Sequence, residues 1–332
     1  MKLINKVTLP CFILVMVLGC SIFFSGCNKK ENNKKKIVIG LIAKNQTNPV
    51  FQATYTGAKD AAIELGKKYG IEVIVDWQTP TDENPQKQAE AIEQLARSGA
   101  AGIAVSCSDA NILTSTIDKA INLGANVMCF DSDAPKSKRF AYYGTDDFEC
   151  GRLVMKNLAE KMNNKGNIAI LAGNQSAPNL QNRVKGVLEE LKNHPDIKLI
   201  KNGIFYHPET PEQSAEAVNR AQTTNPQIEG WACVGGWHLF TKNALKWEPG
   251  KVKVVAVDAL PPELDYLESG HVQVLLAQNC YSWGYKSVEI LLDRIINKAK
   301  IENPVIIDQL TVVDKNNCAE YRNNWKKWIG TN

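Results

Sequence analysis

The run Ile37-Val38-Ile39-Gly40-Leu41-Ile42 is followed by Lys44-Asn45-Gln46-Thr47-Asn48-Pro49-Val50-Phe51 and then by Phe51, Ala58, Ala61, Ala62 and Leu65 at helical spacing. A continuous apolar run broken by one Gly is the pattern of a strand buried on both faces. The switch to helical spacing over residues 50–69 predicts a helix, and Ile71 to Val75 predicts the next strand. The alternation then repeats. A helix is expected at 85–98, with Ala89, Ile92, Leu95 and Ala96 on one face. Gly102–Ser106 reads as a strand, 110–123 as a helix and Val127–Phe130 as a strand. Strands and helices in strict alternation suit a parallel, doubly wound sheet.

The same pattern restarts after residue 145. Helices are expected at 147–163, 179–192, 211–223, 237–246, 261–269 and 283–298, and strands at Asn167–Leu171, Ile197–Ile204, Gly230–Val234, Val252–Val257 and Val272–Ala277. Residues 304–313 are strand-like, and Tyr321 to Ile329 reads as a short helix with Trp325 and Trp328 packing back on the body. The fold class is therefore α/β, with two Rossmann-like lobes. Ligands of such sheets bind beyond the C-terminal ends of the strands, so two lobes facing each other would enclose a cleft there.

The chain has 332 residues, 44% of them hydrophobic and 22% charged, with a net charge of +4. This is ample for a sizeable core and excludes wholesale disorder. The positive charge gathers at Lys29, Lys30, Lys34, Lys35 and Lys36, so it gives no argument for nucleic acid. Among the cysteines, Cys11, Cys20 and Cys27 precede the body, while Cys107, Cys129, Cys150, Cys233, Cys280 and Cys318 are scattered, without metal-ligand spacing. Cys107 and Cys129 lie near each other on expected neighbouring strands. A disulfide is permitted in an exported chain, and buried free thiols are the alternative we expect.

Lys2 and Lys6 precede an apolar stretch from Val7 to Phe24, after which Ser25-Gly26-Cys27 gives way to polar residues. This is the layout of a secretory signal. Small residues directly before a cysteine resemble the lipobox of bacterial lipoproteins. That resemblance implies cleavage before Cys27, a diacylglyceryl thioether on it, and a signal peptide of residues 1–26. Val17-Leu18-Gly19-Cys20 also fits but would leave Ile22, Phe23 and Phe24 exposed, and an uncleaved anchor is a further alternative. Residues 27–36 then form a lipidated tether, polar from Asn28 onward.

The residues after the strands are rich in Asn, Asp, Gln and Arg: Asn48, Asp131, Asp133, Asn179, Arg183, Asp258 and Gln278, with Phe51 and Trp237 as aromatics. Hydroxyl groups both donate and accept, so such side chains suit a polyhydroxyl ligand. The apolar faces of a pyranose suit a flat aromatic wall. Asp109 and Asp146 read as helix N-caps, and Lys44 as a solvent or hinge residue.

From about Lys36 to Thr311 the chain resembles the ribose/galactose/glucose group of type I periplasmic binding proteins, the substrate-binding components of ABC importers. The stretches that carry the resemblance are Asn48-Pro49-Val50-Phe51, Gly102-Ile103-Ala104-Val105-Ser106-Cys107-Ser108-Asp109, Phe130-Asp131-Ser132-Asp133, Gly144-Thr145-Asp146-Asp147, Asn179 with Arg183-Val184-Lys185-Gly186, Val257-Asp258 and Leu276-Ala277-Gln278. The resemblance implies lobes of 37–143 plus 279–308 and 144–278 plus 309–332, joined by a three-stranded hinge. It implies an extracytoplasmic monomer that binds a monosaccharide, an aldohexose such as glucose, and delivers it to an ABC permease. A receptor feeding a chemoreceptor or sensor kinase is the alternative. Asn48 and Phe51 would line the first lobe's side, Asp131 would take hydroxyls with Asp133 close by, and Arg183 would donate from the second lobe. Asp258 and Gln278 would complete the contacts. Gly235-Gly236-Trp237 departs from the pattern: an Asn common in relatives is missing, and Trp237 offers a stacking face. Val50 stands where an aromatic is common, which counts against ribose.

No cofactor or metal is implied, and an enzyme is not expected. There is no P-loop, no GxGxxG after the first strand, no zinc spacing and no Ser-His-Asp or Cys-His set. The lipoprotein-like start argues against a repressor of the lactose-repressor type, which shares this body.

Overall fold

The structure is a computed structural model and describes residues 34–329. Cys27 and residues 1–26, with the expected leader and anchor, lie outside the described residues. The first half runs β1 (Lys36–Ile42), α1 (Pro49–Tyr69), β2 (Glu72–Trp77), α2 (Pro85–Arg97), β3 (Gly102–Val105), α3 (Ala110–Asn122), β4 (Asn126–Phe130) and β5 (Ala141–Gly144). The second half repeats it with α4 (Asp147–Lys161), β6 (Gly166–Gly173), α5 (Pro178–Leu191), β7 (Ile197–Tyr206), α6 (Pro211–Thr224), β8 (Gly230–Cys233), β9 (Lys253–Val257), α7 (Pro261–Ser269) and β10 (Val274–Ala277). The chain ends with α8 (Cys280–Ile296), β11 (Val305–Ile307), β12 (Thr311–Val313) and α9 (Cys318–Trp328).

Two six-stranded sheets result, in the orders β11-β5-β4-β3-β1-β2 and β12-β10-β9-β8-β6-β7. All neighbours pair in parallel except β10 and β12. Strands β3, β8 and β10 are buried at every residue, which is why their sequences are continuously apolar rather than alternating. The two-lobe α/β fold is the one expected. Because β5 leads to α4, β10 to α8, and β11 to β12, the chain passes between the two sheets at residues 144–147, 277–280 and 307–311.

Several elements differ from expectation. The stretch 304–313 is not one strand. It divides into β11 and β12, one on each sheet, and β12 runs antiparallel. A helix over 237–246 does not form. A short 3-10 turn covers Trp237–Phe240, and side chains from elsewhere take the backbone groups beyond it. Asn219 donates to the Ala244 carbonyl at 2.6 Å, and the Tyr266 hydroxyl accepts from the Ala244 amide at 2.8 Å. Helix α8 begins at Cys280, before Trp283, because Asn279 caps it by accepting from the Ser282 amide at 3.3 Å. Strand β5 lies where only a crossing had been expected. Asp109 and Asp146 do cap α3 and α4. Helix α9 packs back as expected: Trp325 donates to the Ala259 carbonyl at 2.6 Å, and Trp328 stacks on Tyr281 at 6.2 Å.

Each lobe is faced by a close helix pair. A Cβ at Gly284 of α8 would run into the Thr54 carbonyl of α1, and one at Gly186 of α5 into the Phe148 carbonyl of α4. Backbone approach of this kind leaves no room for a methyl group. Gly284→Ala is therefore expected to destabilise the protein by about 1–3 kcal/mol, the usual cost of overpacking. Ile63→Ala, at a 72% exposed position on α1, is the control. Urea denaturation checks both, and equal midpoints for the two variants would contradict the packing account.

Candidate functional site

Loops at the strand ends of both sheets line one cleft. Asn48, Phe51 and Asp131 enter from the first lobe, and Asn179, Arg183, Trp237, Asp258 and Gln278 from the second lobe and the hinge. Lys44, Asn45, Glu83, Glu209 and Trp283 also line it. Asp133 does not. Its carboxylate turns to Arg139, which grips both oxygens through Nε and Nη2. Asp133 is thus an anchor for the loop after β4 rather than a group of the cleft.

Arg183 is the most enclosed charge in the cleft, at 2% exposure. Its Nε donates to Asp147 at 2.9 Å, Nη1 to the Val234 carbonyl at 3.1 Å and Nη2 to Gln278 Oε1 at 2.8 Å. Burial works against the guanidinium, but Asp147, Cys150 and Asp258 outweigh it and hold its pKa above the ordinary value. Burial pushes the Asp147 carboxyl up to about 6, with Arg183 opposing. Gln278 has no freedom left. Its Oε1 also accepts from Thr145 at 3.0 Å, and its Nε2 donates to Asp258 at 2.7 Å. Burial raises the Asp258 pKa, against the pull of Arg183.

Asp131 and Asp258 occupy corresponding places, directly after β4 and β9. Both adopt left-handed backbone, with φ of 55° and 79°, a conformation that non-Gly residues hold only where surroundings impose it. At Asp131 those surroundings are Ser106, which donates to Oδ2 at 2.6 Å, and Tyr142, which donates to its carbonyl at 2.9 Å. Gln88 sits beneath, fully buried. It donates to the Ala43 and Ser106 carbonyls at 2.9 and 2.8 Å and accepts from the Ser108 amide at 2.9 Å, so it ties the ends of β1 and β3 together under the cleft. Asn48 caps α1 by accepting from the Val50 amide at 3.0 Å, which leaves its NH₂ for the cleft.

The aromatic wall has two parts. Phe51 lies 6.5 Å from Trp283, a residue on the first turn of α8 that the sequence did not single out. Trp237 spreads over Gly173 and Gly235, where a Cβ would strike its ring. Gly235, in the pair that replaces the expected Asn, therefore makes room for the indole together with Gly173, while Gly236 makes room for Glu263.

Three charged groups were also not anticipated in this cleft. Lys44 is buried, at 5% exposure, rather than a solvent residue. Burial opposes its charge, but Asp131, Glu209 and Glu83 outweigh it and raise its pKa. Burial pushes the Glu209 carboxyl up to about 7, Lys44 opposing and Glu83 adding. Among the described residues the six body cysteines are free and buried, and the Cys107 and Cys129 sulfurs lie 4.0 Å apart.

A family model described as a periplasmic binding protein domain matches residues 39–299. The chain belongs to that family. A solute-binding protein from Burkholderia graminis C4D1M, solved in complex with D-arabinose, is 28% identical with a TM-score of 0.78 over 87% of this chain and 98% of that one. A solute-binding protein from Actinobacillus succinogenes 130z, with bound D-allose, is 26% identical with a TM-score of 0.76 over 86% of this chain and 100% of that one. Among curated proteins, the ribose import binding protein of Bacillus subtilis is 25% identical over 52% of this chain. The match spans only 55% of that relative's own length.

Removing Asp147 would strand the Arg183 charge in the interior. Asp147→Ala is expected to cost about 3–5 kcal/mol, as for other broken buried pairs. Asp265→Ala, which loses an exposed pair with Arg322, is expected to cost under about 1 kcal/mol. Chemical denaturation of both variants checks this, and comparable losses would mean that the Arg183 pair is not a buried constraint.

Proposed function

We propose that the protein is an extracytoplasmic solute-binding lipoprotein, held to the membrane through Cys27, that captures one monosaccharide in the interlobe cleft and presents it to an ABC permease. The observation that carries this is the convergence of Asp131, Arg183, Asp258 and Asn179 from two lobes on one small cleft walled by Phe51, Trp237 and Trp283. Fixed acceptors, a guanidinium and apolar walls are what a ring of hydroxyls with C–H faces requires. The ligands named for the similar proteins, D-arabinose, D-allose and ribose, support a pentose or hexose as the ligand class more than glucose in particular.

On this reading the three crossings act as a hinge. Open lobes admit the sugar, and closure expels water and strengthens each hydrogen bond around it. A permease then recognises the closed form. No bond in the ligand is made or broken, so the cleft needs no general base or nucleophile. Asp131, Arg183, Asp258, Gln278, Asn48 and Asn179 contact hydroxyls or the ring oxygen, and Asp133 only positions the loop that carries Asp131.

A thermal-shift and calorimetric screen of neutral aldoses and ketoses tests this. At least one is expected to bind with a stoichiometry of about one per chain, unchanged on recovery. Asp131→Ala is expected to remove most of the binding while circular dichroism stays native, and Arg183→Ala to remove most of it in a protein that still folds but is less stable, because Asp147 loses its partner. Asp133→Asn is expected to retain affinity within about tenfold. Silence across the panel would refute the sugar assignment, and full affinity in the Asp131 or Arg183 variant would show that residue to be misplaced.

A further inference from the structure

The cleft is lined by more acidic than basic side chains. Among the described residues that line it, Glu83, Asp131, Glu209 and Asp258 stand against Lys44 and Arg183. Arg183 is already matched by Asp147 at 2.9 Å, which leaves Lys44 facing the carboxylates.

Glu83 and Glu209 are topological counterparts. β2 and β7 are the corresponding edge strands of the two sheets, and each glutamate lies two residues before the proline that opens the next helix, in Glu83-Asn84-Pro85 and Glu209-Thr210-Pro211. They bring like charges to the cleft from opposite lobes. Glu209 is held there: its φ is 41°, its amide donates to His207 Nδ1 at 3.1 Å, and its Oε1 accepts from the Asn174 amide at 3.3 Å. Unused acceptors lie in the same cleft. Glu83 Oε1 and Asn179 Oδ1 are buried with no hydrogen-bond partner, and Asn179 as a whole is only 5% exposed. A buried acceptor without a donor costs free energy until a ligand supplies one. Closure of the lobes on a neutral ring would bring two carboxylates together in a drying cleft with Lys44 alone to offset them.

We propose that the cleft is built for a sugar bearing an ammonium group, an amino-deoxy sugar, and that Glu83 and Glu209 close on that group from the two lobes. An ammonium brings three donors and one positive charge, which answers both the unpaired acceptors and the excess of carboxylates. A uronate or a sugar phosphate would add to the repulsion. This rests on the monosaccharide reading above and narrows its substrate class.

The test is calorimetric titration of the whole protein, near pH 7 and at low salt, with D-glucose, D-glucosamine, 6-amino-6-deoxy-D-glucose and D-glucuronate, and with D-ribose, D-arabinose and D-allose. An amino-deoxy sugar is expected to bind about tenfold or more tightly than its neutral parent, with an advantage that shrinks as salt is added. In Glu83→Gln and Glu209→Gln, each checked for native circular dichroism, the ratio of the two affinities is expected to fall several-fold. A neutral parent that binds as well as every amine, or a uronate that binds better than its parent, overturns the inference and leaves the monosaccharide reading standing. A preference that persists unchanged in both variants overturns the role of the two glutamates. No binding by any of these sugars overturns both readings.

Discussion

A guanidinium buried between two lobes constrains this molecule more than any other group. Arg183 can remain charged in the interior only while Asp147, Gln278 and the Val234 carbonyl surround it. Each of these comes from a different segment: the start of α4, the crossing after β10, and the end of β8. Holding them in place fixes where the chain may cross between sheets, how closely α4 and α5 must approach, and which way Gln278 points. The last of these in turn fixes Asp258. A buried charge is costly to pair imperfectly, so the same network that shapes the cleft also ties cleft geometry to folding.

The second organising feature is repetition. Each sheet has the same strand order, and equivalent strand ends carry equivalent groups: Asp131 and Asp258 after the fourth and ninth strands, Glu83 and Glu209 after the second and seventh. Two lobes built on one plan therefore present acidic side chains toward each other. The symmetry is broken at the two basic groups of the cleft. In strand register Lys44 falls opposite Gly173, and, counted from the prolines that open the helices, Arg183 of α5 falls opposite Thr54 of α1. One lobe supplies the guanidinium and the other the ammonium.

Much of this was legible in the sequence, because central parallel strands are buried on both faces and so announce themselves as apolar runs. Polar residues directly after them, such as Asp131, Asp258 and Gln278, then fall at the cleft by topology alone. What could not be read depended on contacts distant in sequence. Lys44, Glu83 and Glu209 look like ordinary loop charges until the other lobe covers them. The stretch after Phe240 carries no helix because Asn219 and Tyr266 intercept its backbone, which local periodicity does not record. Asp133 shares the motif around Asp131, but its neighbour Arg139 lies on the same loop and captures it. The sequence does carry one sign that Glu83 and Glu209 correspond: the matched Glu-Asn-Pro and Glu-Thr-Pro at equivalent strand ends.

The central claim is that one sugar ring sits between the lobes on groups that are already in position. A crystal structure of the protein with the sugar that most stabilises it tests this most directly. The account predicts ring density in the cleft, with hydroxyl or ring oxygens within hydrogen-bond distance of Asp131, Arg183 and Asp258, and Arg183 still bound to Asp147. A sugar bound elsewhere on the surface, or bound in the cleft with Arg183 and Asp258 turned away from it, would contradict it.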